Sequence, residues 1–255
     1  MVDRLTGKIA IVTGAGQGIG AAIATVFARE GAAVVIAERN RATGAAIAQA
    51  IAGGGARSLF VETDIAERVS VEAMVAQAVV TFGGVDILVN NAGVNVFHEP
   101  LETTDEEWRR CLAVDLEGAW IASRAVLPGM RARSRGAIVN IASSRAHQSE
   151  PDTEAYAASK GGIVAFTHAL AVSAGPVRVN AINPGWIAVD DWRKPSRRRR
   201  PHLTHADHAQ HPVGRVGLPG DIGALVVFLL SPRAGFITGE NFTVDGGMAR
   251  RMHYV

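Results

Sequence analysis

The chain holds a single cysteine, Cys111, among 255 residues, so no disulfide can form within it. Such scarcity fits a reducing compartment, and a cytoplasmic location is the expectation. Cys111 falls in an apolar helical stretch and reads as a buried, inert thiol. Long apolar runs are missing too, and none approaches the length that crosses a bilayer. The opening residues Met1 to Lys8 lack the charged-then-apolar order of a signal peptide. A surplus of one charge is also absent. The formal net charge is +2, too small to make nucleic acid or a membrane surface the main partner. What is present is 48% hydrophobic against 20% charged residues, enough for a sizeable core in one large α/β domain spanning residues 1–255.

Short apolar runs alternate with long helical patterns. Candidate strands are Ile9–Val12, Ala33–Ala37, Leu59–Val61, Ile87–Val89, Ala137–Ile141, Val177–Ile182 and Phe242–Val244. Several are apolar at consecutive positions, as expected for strands covered on both faces. Candidate helices are Gly18–Arg29, Ala42–Ala52, Glu67–Phe82, Asp105–Met130, Glu154–Ser173 and Asp221–Leu230. Thr104 with Glu107 makes a capping box, Gly83 suits a helix C-terminus, and Ser231-Pro232 ends the last helix. The alternation implies an α/β fold: a Rossmann-type, doubly wound, parallel seven-stranded sheet with helices on both faces. Residues 188–218 break the rhythm and read as an insertion above the sheet.

Between the first strand and first helix runs Thr13-Gly14-Ala15-Gly16-Gln17-Gly18-Ile19-Gly20. Glycines let a backbone turn tightly beside a pyrophosphate. The helix that follows offers free N–H groups and a positive dipole end. The spacing is GxxxGxG rather than GxGxxG, so the common dinucleotide fingerprint is not strictly matched. Placement between a buried strand and a helix favours a dinucleotide over a plain turn. Glu38 ends the second strand, where a carboxylate can accept from adenosine ribose hydroxyls and repel a 2′-phosphate. Arg39 follows and argues the other way. NAD is favoured, with NADP the alternative; the bland reading of both residues is a loop ion pair.

Tyr156 and Lys160 stand at i and i+4 of one helical pattern and so share a face. A free phenol titrates near pH 10, roughly, and moves protons poorly at neutral pH; a fixed positive charge favours the phenolate. Such a pair can act as a general acid/base, although most pairs at this spacing are solvated surface.

With the glycine turn, Asn90-Asn91-Ala92-Gly93, Ser143, Tyr156 and Lys160 in this order, the chain resembles the short-chain dehydrogenase/reductase family in its single-domain form. The resemblance covers essentially the whole chain and extends to Asn183-Pro184-Gly185, Gly235-Phe236-Ile237-Thr238-Gly239 and Val244-Asp245-Gly246-Gly247. It implies an NAD(P)-dependent oxidoreductase acting on a small-molecule alcohol or ketone, assembled as a homotetramer through the fourth and fifth helices and through the last strand and helix. By it, Tyr156 is the general acid/base, Lys160 supports it and binds the nicotinamide ribose, and Ser143 holds the substrate oxygen, with Ser144 a neighbour. Gly14, Gln17, Gly18, Ile19, Gly20, Glu38, Arg39, Asp64, Ile65, Asn91, Ala92, Gly93, Pro184, Gly185 and Ile187 fall at cofactor-binding positions. Two departures stand out. Asp115 occupies the family's fourth catalytic position, usually an asparagine, and is carried over as a catalytic participant, its carboxylate putting an added negative charge near Lys160. Val189 replaces a common threonine and can neither donate nor accept with its side chain.

Residues 188–218 match the family's substrate-covering lid, and Trp186 and Trp192 are candidates to wall an apolar pocket. Arg193, Lys194 and Arg197–Arg200 form a dense basic run, read either as an anion site or as a solvated loop. His202, His205, His208 and His211 repeat every third residue, but no cysteine accompanies them and no metal site is expected. Two other function classes share these features: a non-catalytic dinucleotide sensor or scaffold, and an epimerase or dehydratase that keeps its NAD tightly held.

Overall fold

A computed structural model describes residues 4–252. Seven parallel strands form one sheet in the order β3-β2-β1-β4-β5-β6-β7. They are β1 Ile9–Thr13, β2 Ala33–Glu38, β3 Ser58–Glu62, β4 Ile87–Asn90, β5 Ala137–Ile141, β6 Arg178–Pro184 and β7 Asn241–Val244. The chain runs outward from β1 to β3, then crosses back to place β4 on the other side of β1. The crevice above this reversal is where open α/β sheets bind ligands.

Successive strand residues point to opposite faces, and the two cores divide accordingly. Ala10, Val12, Val34 and Ile36 join one cluster with Ile23 and Phe27 of α1 (Gly18–Arg29), Ile51 of α2 (Arg41–Gly53) and Val226 of α8 (Pro219–Leu230). Ile11, Val35 and Ala37 join the other, with Met74 of α3 (Arg68–Phe82) and Val126 and Met130 of α5 (Gly118–Ala132). This two-sided burial explains the unbroken apolar runs in the strands.

The expected helix Asp105–Met130 is interrupted. It consists of α4 (Asp105–Leu112), a π-helical turn Ala113–Glu117, and α5. The capping box at Thr104 and Glu107 starts α4. The π turn holds Asp115, which is buried. Gly83 ends α3 at φ 93°. Helix α6 runs Glu154–Ala174. The segment after β6 carries short helical turns and α7 (His205–Ala209), and an isolated parallel bridge ties Ile187 to Gly217.

Candidate active site

The glycine turn, the end of β4 and the start of α6 meet above the sheet. Gly14 has φ +63°, a left-handed value that favours glycine, and a Cβ there would lie 2.8 Å from Ala92 Cα. Gly20 is pressed against the Gly14 carbonyl and the Asn91 side-chain amide, leaving no room for a methyl group. Thr13 clasps the two loops together. Its hydroxyl accepts from the Asn91 and Ala92 N–H groups at 3.0 and 3.1 Å, and Asn91 Nδ2 donates to the Thr13 and Gly14 carbonyls at 2.9 and 3.2 Å. The sequence places Thr13 directly before the glycines, but nothing near it in the chain shows what its hydroxyl holds.

Two adjoining cavities divide the crevice. The first, about 340 Å³, is lined by Gly14, Glu38, Arg39, Asp64, Ile65 and Ala92, among others. Glu38 accepts from Gly16 N–H at 3.1 Å and from Asn40 N–H at 2.9 Å, which holds its carboxylate at the rim of the turn. Arg39 lies 3.6 Å from Asp64, and Arg110, a residue that sequence reasoning missed, lies 3.2 Å from the same carboxylate. Partial burial works to raise the Asp64 pKa, but the Ala66 N–H and the two arginines outweigh it and bring it below the ordinary value.

The second cavity, about 310 Å³, is lined by Gly18, Ile19, Gly93, Ser143, Tyr156 and Lys160, together with Pro184, Gly185 and Val189. Ile187 is not in this wall; it is partly buried and packs against the core. Ser143 caps the short turn Ser144–Ala146, its oxygen accepting from Arg145 N–H at 3.2 Å. The Tyr156 ring meets the Phe97 ring edge-on, with centroids 5.6 Å apart. Lys160 is buried, its Nζ 5.3 Å from the Tyr156 ring centroid and 3.1 Å from Asp115 Oδ2, and it donates to the Ile141 carbonyl at 3.4 Å. Asp115 Oδ1 accepts from Val94 N–H at 2.7 Å. Burial pulls the Lys160 pKa down, but Asp115 and then Tyr156 outweigh it and raise it, so the ammonium persists. Burial also pushes the Asp115 carboxyl above its ordinary value, against the pull of Lys160. Cys111 nearby is pushed up to about 11 by burial first and the Asp115 charge second, and stays a protonated thiol at neutral pH.

Beneath this cavity a buried ladder joins four elements. Asn90 Nδ2 donates to Asn140 Oδ1 at 2.8 Å and to Ser123 Oγ at 3.1 Å, and Asn140 Nδ2 donates to Thr167 Oγ1 at 2.9 Å. It ties the strand ends that carry Asn91 and Ser143 to α5 and α6.

Residues 14–249 match the family described as enoyl-(acyl carrier protein) reductase. The chain belongs to the short-chain dehydrogenase/reductase family. It is 52% identical to an uncharacterized oxidoreductase of Thermotoga maritima over 98% of this chain and 99% of that one. It is 41% identical to a galactitol 2-dehydrogenase (L-tagatose-forming) of Cereibacter sphaeroides over 96% of both chains. It is 37% identical to an NADP-dependent (R)-specific alcohol dehydrogenase of Lentilactobacillus kefiri, over 97% of this chain and 98% of the other. The protein is therefore an enzyme, an oxidoreductase of a family that uses NAD(H) or NADP(H).

The crevice suits the dinucleotide of a short-chain dehydrogenase/reductase. Helix α1 begins without a side-chain cap at Gln17 and without an acidic residue in its first turn, so its leading N–H groups are left for an anion. Two histidines of the repeat are engaged separately: His208 Nδ1 accepts from Val216 N–H at 3.2 Å, while His211 Nδ1 lies 3.2 Å from the Asp207 carbonyl. Among the described residues no three His, Cys, Asp or Glu side chains are grouped as metal ligands are, and no helix is long and apolar enough to cross a membrane.

Proposed function

We propose that the protein interconverts a secondary alcohol and a ketone, with NAD as the favoured cofactor and Ser143, Tyr156 and Lys160 as the proton-transfer site. One observation carries the reading: these three side chains line a single cavity that continues from the glycine turn. The dinucleotide, when bound, supplies the hydride acceptor or donor. In the oxidative direction the Tyr156 phenolate takes the substrate hydroxyl proton. Ser143 already accepts from Arg145 N–H, which leaves its own O–H to donate to the same substrate oxygen. The Lys160 ammonium, spending two donors on Asp115 and the Ile141 carbonyl, favours the phenolate over the phenol. Reduction reverses these steps. Three relatives named as a dehydrogenase, an alcohol dehydrogenase and an oxidoreductase support the reaction class.

The preference for NAD follows from Glu38, whose carboxylate at the rim of the turn would repel a 2′-phosphate. Self-association as a homotetramer is part of the same reading. Trp120 on α5 is 40% exposed and shares an apolar cavity with Leu127, Phe166 and Leu170 of α5 and α6, a face suited to a second copy.

Tyr156→Phe tests the assignment. A lost proton-transfer group lowers kcat by about a hundredfold to ten-thousandfold, while NAD titrated by calorimetry binds nearly as before. Turnover retained by this variant, followed through nicotinamide absorbance with a panel of alcohols, would contradict the proposal.

A further inference from the structure

The basic run after β6 does not simply face solvent. Arg193, Lys194 and Arg197 share a cavity of about 600 Å³ with Gln17 and Gly18 of the glycine turn and with Asn40, which caps α2. The two elements already touch: Lys194 N–H donates to Gln17 Oε1 at 3.4 Å, and the short turn Asp190–Trp192 packs on α1. Glu38 is the one carboxylate in this lining, and both its oxygens are occupied by the N–H groups of Gly16 and Asn40. Arg193 is paired with Asp190 at 3.2 Å, and Arg39, in the same wall, leans on Asp64. Lys194 and Arg197 have no carboxylate partner among the described residues. Two unpaired cations thus stand across one cavity from the uncapped start of α1.

Cations in excess over the single carboxylate of the lining, opposite a helix N-terminus, concentrate an anion between them. We infer that Lys194 and Arg197 are phosphate ligands, gripping the bound dinucleotide from the side opposite the glycine turn. The inference rests on the dinucleotide reading given above. The phosphate is either the pyrophosphate, present in NAD and NADP alike, or the 2′-phosphate that NADP alone carries.

Calorimetric titration with NAD, NADP and ADP-ribose, at low and at high salt, decides it. The proteins compared are the unaltered chain, K194Q/R197Q, and R198Q/R200Q, which loses the same charge outside the cavity. Rim charge contacts are worth a few-fold each, so K194Q/R197Q is expected to bind about tenfold more weakly at low salt, with a flatter salt dependence. R198Q/R200Q is expected to bind like the unaltered chain. Loss with all three ligands assigns the pyrophosphate; loss with NADP alone assigns the 2′-phosphate. Unchanged affinity in K194Q/R197Q, or equal loss in both double variants, overturns the inference. An unaltered chain that binds no dinucleotide removes the cofactor reading and this inference with it.

Discussion

Asp115 Oδ2 lies 3.1 Å from Lys160 Nζ, with 0% and 5% of the two side chains exposed. Burying both charges is tolerable because each compensates the other, and because Val94 N–H and the Ile141 carbonyl occupy further positions around the pair. The carboxylate also opposes the field that Lys160 exerts on Tyr156.

Removing that carboxylate should show in the pH profile. Asp115→Asn removes the charge that chiefly offsets the burial of Lys160, so the ammonium is given up at lower pH than in the unaltered chain and the alkaline limb of kcat against pH moves to lower pH. The raised Lys160 pKa means its stabilising charge is fully present below the unfolded value and is lost only as pH climbs through the folded one. Lys160→Met instead leaves Asp115 buried without its partner and should cost about 3–5 kcal/mol in urea unfolding at neutral pH. A limb that stays in place in Asp115→Asn shows that the carboxylate does not influence the proton-transfer step.

Cofactor choice should turn on Glu38. Glu38→Ala removes the charge that repels a 2′-phosphate, and the ratio of NADP to NAD affinity is expected to rise about tenfold, the equivalent of ~1.4 kcal/mol. NAD binding weakens at the same time, because Gly16 and Asn40 lose their shared acceptor. Titration with both cofactors measures the ratio; preference for NADP in the unaltered chain refutes the premise.

Two glycines should respond in opposite directions to the same methyl group. Gly20→Ala forces a Cβ onto the Gly14 carbonyl and the Asn91 amide, and overpacking of this kind costs about 1–3 kcal/mol. Gly161→Ala, in the interior of α6 with nothing within 4 Å of the new atom, should stabilise by about 0.5–1 kcal/mol. Thermal unfolding of the pair reads both signs.

Acid should destabilise the fold through its paired carboxylates. Asp64 is lowered as described above, and Asp221 is lowered chiefly by its two hydrogen bonds from Arg215 at 2.7 Å, against burial. A depressed carboxylate contributes stability that is present above its unfolded pKa, near 4 for aspartate, and lost as pH falls through the folded value. The melting temperature is therefore expected to fall below about pH 4, and to fall less steeply in D64N/D221N.

Much of the architecture was legible along the chain. Helix α1 falls on its expected bounds, Gly18–Arg29, and β5 on Ala137–Ile141, because strand burial and helix starts are written into neighbouring residues. The break at Ala113–Glu117 was not legible. Nothing in Ala113-Val114-Asp115-Leu116-Glu117 disfavours an α-helix strongly enough to announce a π turn, and the turn's buried Asp115 answers to Val94 and Lys160, both distant in sequence.

By itself the sequence determined the layering, the glycine turn and the shared face of Tyr156 and Lys160, since each depends on residues a few positions apart. Only the tertiary structure decided that Arg39 leans on Asp64, that Thr13 clasps Asn91, that Val94 N–H holds the other oxygen of Asp115, and that the basic run lies against Gln17. Local spacing sets which elements form; the partners of a charge are chosen by packing between elements far apart in the chain.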